Sequence, residues 1–192
     1  MTNGYLSNAA LYLVEAISGL YMMLVLLRFL LQKARASFHN PFSQFIVKVT
    51  NPPLKPLRRV IPGWGGVDLA ALVLLFALQM ATLALIYLIL GQTFNLAGMG
   101  VLAVAELLNL TLTTYLITVI AQAILSWVGP GGPNPLSGLL YSLNEPLLRP
   151  VRRLLPLISG IDLSPLVVLI IIQLLKILAV APLADLGRAL GH

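Results

Sequence analysis

Lys55, Arg58 and Arg59 recur 94 residues later as Arg149, Arg152 and Arg153. Spacing of i, i+3 and i+4 places each triad on one face of a helix. Cations grouped in this way suit anionic oxygen, and arginine grips phosphate or carboxylate in bidentate fashion. That chemistry has two uses. One is membrane orientation and attraction to an anionic leaflet, about 1 kcal/mol per cation near the surface. The other is a defined site for a phosphate-bearing lipid or for the acidic face of a partner.

A second set of polar residues falls inside apolar runs: Glu15, Gln79, Glu106, Gln173 and Lys176. Ionisable or amide groups within a bilayer are functional candidates by default. Gln79 and Gln173 occupy matching places in the repeat. Each lies 11 residues beyond an aspartate (Asp68, Asp162), about 16 Å along a helix, so hydrogen bonding between them at one depth is expected. Glu15, Glu106 and Lys176 are expected to share a depth in the outer leaflet, with Lys176 paired to one of the glutamates, because unpaired charge there is costly. Proton or cation passage is the alternative use. Asp68 and Asp162 each precede an apolar run and follow a glycine-containing turn, which suits helix capping.

No GxSxG, HExxH, Walker loop, dinucleotide fingerprint or CxxCH occurs, and there is no cysteine. The imidazoles are His39, beside Asn40 at a helix start, and the terminal His192; neither reads as a ligand. The expectation is a protein that is not an enzyme, with no cofactor and no metal site.

The elements that must position these groups follow from composition. The chain has 192 residues, 59% hydrophobic and 9% charged, against about 25% charged in a soluble domain. Such a chain needs lipid as part of its solvent. A crossing helix takes about 20 apolar residues, and four segments qualify: about 9–31, 68–90, 99–126 and 162–183. Lys176 does not disqualify the fourth. A central lysine costs about 3 kcal/mol, while each Leu, Ile or Val gains about 0.3–0.6, and 14 such residues lie from Leu163 to Leu183. The first span is read as retained rather than cleaved, since no basic residue precedes Arg28.

Asn40–Gln79 aligns without a gap to Asn134–Gln173, with 16 of 40 positions identical. The expected architecture is an all-α membrane protein: four transmembrane helices as two parallel helical-hairpin repeats, 1–96 and 97–192. The net charge of +6 sits beside the spans, so no nucleic-acid partner is expected. Lys33, Arg35, Lys48, Lys55, Arg58 and Arg59 lie between spans one and two, and Arg149, Arg152 and Arg153 between spans three and four. The positive-inside rule puts both connections in the cytoplasm and both termini outside. Both repeats then share one orientation, about an axis along the membrane normal.

Each connection reads as two short interfacial helices. Asn40 and Pro41, or Asn134 and Pro135, open the first, with stripes Phe42, Phe45, Ile46, Val49 and Leu136, Leu139, Leu140, Leu143. Pro52 and Pro146 are expected to end it, and the cation triads occupy the second. Arg28 and its repeat mate Gln122 fall near cytoplasmic span ends, where Arg28 would reach headgroups. Trp64 and Trp127 suit the interfacial aromatic belt.

The duplicated pattern resembles the YggT family of small integral membrane proteins. The matching residues are Asn40-Pro41-Phe42-Ser43, Pro56 to Pro62, Leu125-Ser126-Trp127, Asn134-Pro135, Glu145 to Leu154 and Gly160 to Pro165. One departure is Gln122, where the family pattern has arginine. The resemblance implies a bacterial inner-membrane protein with no assigned catalytic residues. It also implies links to osmotic or extracytoplasmic stress and, in plastid and cyanobacterial relatives, to cytochrome-complex biogenesis, division or nucleoid organisation. The reading is a non-enzymatic membrane scaffold or biogenesis factor. Its partners would be anionic phospholipid, a membrane protein and a second copy of the chain. The alternative is a small ion channel or transporter component in osmotic adaptation.

Overall fold

The computed structural model describes residues 2–36, 38, 40–93, 95–128, 135–155 and 162–191. Asn134, His39, His192 and the side chain of Trp127 lie outside the described residues. The helices are α1 (Thr2–Lys33), α2 (Pro41–Val60), α3 (Leu69–Leu90), α4 (Leu96–Val128), α5 (Pro135–Leu154), α6 (Ser164–Leu175) and α7 (Ala181–Gly191), with a π-helical turn at Lys176–Val180 joining α6 to α7. The molecule is an all-α membrane protein. Among the described residues, four stretches are long and apolar enough to cross a bilayer: Gly4–Lys33, Leu69–Leu90, Leu96–Ser126 and Ser164–Gly191. The fourth runs past residue 183, because the chain continues helically through the π turn into α7.

Leu166, Ile170, Ile171, Leu174, Ile177 and Leu178 are exposed on the fourth span, as are Tyr12, Leu13, Ile17 and Leu20 on the first. Apolar surface of this kind belongs against lipid tails. The core lies between the helices. Val25, Leu26, Leu54, Leu75 and Leu143 join α1, α2, α3 and α5. Leu83, Ala103, Ala105 and Ala184 join α3, α4 and α7. Val119, Leu148, Val168 and Ile172 join α4, α5 and α6. Helices α4 and α7 approach closely: a Cβ added at Gly187 would lie 2.7 Å from Leu102 N, and one at Gly98 2.7 Å from Gly187 O. Gly187 and Gly191 form a GxxxG spacing, which lets helix backbones approach.

The connections differ from expectation in one respect. Pro52 and Pro146 do not end helices; α2 and α5 are each continuous over 20 residues, with Pro52, Pro53, Pro56 and Pro146, Pro150 inside. A proline ring frees the carbonyl four residues earlier. Pro52, Pro56, Pro146 and Pro150 are exposed, so those losses fall on the outer side while Ile46, Thr50 and Leu54 stay packed beneath. At the start of α2, Asn40 accepts from Ser43 N–H at 3.0 Å, ahead of Pro41.

From α2 the chain reverses through Trp64-Gly65-Gly66-Val67. Trp64 N–H donates to Val67 O at 3.1 Å and Val67 N–H to Trp64 O at 2.9 Å. Both central residues take positive φ, 58° and 76°, which glycine adopts freely. This tight return brings Asp68 back to the end of α2.

Candidate functional site

The cation triads are divided by the fold rather than presented whole. Arg58 Nε donates to Asp68 Oδ2 at 3.1 Å, Arg58 Nη2 forms an ion pair with the same oxygen, and Nη2 also reaches Gln32 Oε1 of α1 at 3.3 Å. In the second repeat Arg152 Nε donates to Asp162 Oδ2 at 2.8 Å and Nη1 to Glu145 Oε2 at 2.9 Å. Each pair spans ten residues and ties the end of the connecting helix to the start of the next span. Lys55, Arg59, Arg149 and Arg153 remain exposed. Lys48, Asn51, Lys55 and Arg59 line an open groove of about 390 Å³ on α2.

The aspartates also engage helix starts. Asp68 is the N-cap of α3 and accepts from Ala71 N–H at 3.3 Å. Asp162 accepts from Ser164 N–H at 2.9 Å, but Leu163 holds the N-cap position of α6. Partial burial opposes ionisation of Asp162. Hydrogen bonding from Ser164 and Arg152, with the Arg152 charge, outweighs it and holds the carboxyl below the ordinary range. Burial likewise opposes the charged form of Arg152, yet the hydrogen bond to Asp162 and the charges of Asp162 and Glu145 raise its pKa.

Arg28 does not reach headgroups. It is buried, and its Nη1 donates to Thr50 Oγ1 and Asn51 Oδ1, both at 2.9 Å. The reason is the polar pair on α2 directly beneath it, which satisfies the guanidinium inside the protein. At the repeat-related position Gln122 Oε1 accepts from Asn144 Nδ2 at 2.8 Å, and Asn144 Oδ1 accepts from Thr118 Oγ1 at 2.8 Å. A charged hub in the first repeat is replaced by a neutral one in the second. Sequence reasoning missed these hubs; the signal available was that Arg28/Gln122 and Thr50/Asn144 are all polar at the same offset.

The intramembrane residues divide in an unexpected way. Gln79 is buried whereas Gln173 is exposed on α6, and no hydrogen bond joins them among the described residues. The cause is packing: α3 lies against α1 and α4, while α6 lies against α4 and α5. Lys176 does not pair with a glutamate among the described residues. Its Nζ donates to Thr113 Oγ1 of α4 at 2.8 Å, at the first residue of the π turn. Glu15, Gln79 and Glu106 face a cavity of about 430 Å³ between α1, α3 and α4, and Thr113 forms part of its wall. Nearer the connections, an apolar cleft of about 290 Å³ is lined by Leu24, Phe42, Phe45, Leu136 and Leu140. Among the described residues no His, Cys, Asp and Glu cluster is grouped to hold a metal ion.

The CCB3/YggT family model matches residues 7–89 and 101–183. The uncharacterized protein PA0392 of Pseudomonas aeruginosa is 43% identical over 181 residues, covering 93% of this chain and 92% of its own. The protein YggT of Escherichia coli strain K12 is 38% identical over 172 residues, 88% of each. An uncharacterized protein of Haemophilus influenzae is 41% identical over 172 residues, 89% of this chain and 91% of its own. No solved structure matches the chain. Two matched segments in tandem, and relatives that align over most of their length, establish that this chain belongs to the CCB3/YggT family and carries two of its repeats.

Proposed function

We propose that this protein is a non-enzymatic membrane scaffold whose two connecting helices, α2 and α5, lie on the cytoplasmic face of the inner membrane and bind anionic phospholipid. The distribution of basic residues supports cytoplasmic connections and outer termini by the positive-inside rule. One observation carries the reading. In each repeat the middle arginine of the triad is taken up by an aspartate, which fixes the helix, while its neighbours stay exposed. On α2, exposed Lys48, Lys55 and Arg59 stand beside exposed Phe42 and Phe45, an arrangement that suits headgroup phosphate flanked by acyl chain. A rigid cationic platform of this kind would gather lipid and acidic-faced membrane partners.

The test is native mass measurement of the full chain purified from mixed bilayers of phosphatidylglycerol and phosphatidylcholine. Wild type is expected to retain phosphatidylglycerol preferentially, and a K55S/R59S/R149S/R153S variant to lose that preference while keeping its helical content. An unchanged lipid profile in the variant overturns the reading.

A further inference from the structure

We propose that the cavity between α1, α3 and α4 is a binding site for a single organic ammonium group, separate from the lipid platform of α2 and α5. Its polar wall comes from three spans: Glu15 on α1, Gln79 on α3, and Glu106 and Asn109 on α4. Gln79 is only 7% exposed, and its carboxamide has no hydrogen-bond partner among the described residues although it lines the cavity. The residue is buried but its amide atoms are not sealed within the fold; they open onto the cavity, where a ligand or water completes their hydrogen bonds.

The charges agree with a cationic occupant. Neither Glu15 nor Glu106 has an ion-pair partner among the described residues. Lys176, the lysine expected to pair with a glutamate, instead donates to Thr113 Oγ1 on the cavity wall. Two carboxylates against one lysine leave one negative charge for a ligand to neutralise, and charge held within a membrane span without a counter-charge is unfavourable. The lysine is also held unusually. The π turn begins at Lys176, and such turns recur at functional positions. Its repeat mate Thr82 sits in unbroken α-helix on the same cavity wall.

Size and wall chemistry select an organic cation over a bare metal ion. At about 430 Å³ the cavity falls in the range of small-molecule sites, about 300–1,000 Å³. Met22, Leu83 and Ile86 give it apolar sides, which suit an alkyl body. The Gln79 and Asn109 carbonyl oxygens would accept N–H bonds while a carboxylate carries the charge.

The test is calorimetric titration of the full chain in phosphatidylglycerol nanodiscs with n-hexylammonium chloride, with n-hexanol as the neutral isostere. One saturable site for the amine and none for the alcohol is expected. Glu15→Gln and Glu106→Gln should each weaken it by at least about tenfold, and Lys176→Met should tighten it by removing a competing positive charge. Glu15 is exposed, so Glu15→Gln keeps the test valid should the Glu106 variant not fold. Repeating the titration in phosphatidylethanolamine nanodiscs assigns the source: a weaker apparent affinity identifies a lipid ammonium as the occupant, an unchanged one a free amine. Absence of a saturable site, equal binding by the glutamine variants, equal binding of hexanol, or displacement by rubidium chloride at matching concentration each overturns the proposal.

Discussion

Arg152 and Asp162 stand 2.8 Å apart, Nε to Oδ2, across ten residues of chain, and Arg58 and Asp68 hold the same relation in the other repeat. The two latches differ in burial. The Asp162 side chain is 35% exposed and that of Asp68 only 5%. Asp68→Asn is therefore expected to cost about 1–3 kcal/mol, because it strands a guanidinium against a buried partner. Asp162→Asn should cost less than about 1 kcal/mol, since solvent screens an exposed pair. Thermal unfolding of both variants in detergent reads the difference; equal losses would refute the ordering.

The Asp162 latch also makes a pH prediction. Its carboxyl titrates below the ordinary aspartate value of 3.8 in the folded protein. The native state then binds fewer protons than the unfolded state in that window. The contribution is fully present above the unfolded value and disappears as pH falls through the depressed native one. Wild type and Asp162→Asn should differ in unfolding midpoint at roughly pH 6, and the difference should shrink as pH falls below the ordinary aspartate value. A difference that does not shrink with falling pH would rule out the carboxylate as its source.

The two polar hubs can be exchanged. Arg28→Gln alone leaves Asn51 Oδ1 without its donor, a loss of about 1–3 kcal/mol. Adding Thr50→Asn rebuilds the Gln122–Asn144 pair of the second repeat and should recover part of that loss. The coupling between the two substitutions is expected at about 0.5–3 kcal/mol. A double-mutant cycle by thermal unfolding measures it, and strict additivity would show that the hubs are not equivalent.

Lys176 makes a third case. Had it paired with a glutamate, removing it would cost about 3–5 kcal/mol. Here it donates to Thr113, whose own hydroxyl still donates to Asn109 O at 2.7 Å. Lys176→Met should therefore leave the unfolding midpoint unchanged or raise it. A large drop would imply a charge partner for Lys176.

At the α4–α7 crossing, Gly187→Ala would bring a Cβ to 2.7 Å from Leu102 N. Backbone cannot yield as a side chain can, so a loss of about 1–3 kcal/mol is expected. Gly100→Ala, with nothing within 4 Å of the added atom, serves as the control and should be neutral or stabilising. Comparable losses in the two variants would deny the close approach.

Much of the architecture was legible because it rests on local pattern. The four spans follow from uninterrupted apolar length, and Asp68 could be placed at a helix start from the glycine turn before it. Pro52 misled because a proline on the exposed side of a packed helix loses hydrogen bonds without losing its core face, and that balance depends on Ile46 and Leu54 finding partners. The fate of Arg28 depended on Thr50 lying beneath it, a tertiary fact. Gln79 and Gln173 share a repeat position, yet α3 and α6 have different neighbours, so equal sequence depth gave unequal surroundings. The GxxxG spacing of Gly187 and Gly191 was readable but lay beyond the expected end of the fourth span.

The π turn at Lys176–Val180 has a geometric consequence for everything after it. A π turn accommodates one residue more than the α-helix it interrupts, and one residue is about 100° of helical rotation. Deleting any one residue of that turn would wind it back to regular helix and swing α7 by about that angle, carrying Gly187 away from Leu102. The length of the last span is thus set by azimuth as well as by hydrophobic reach.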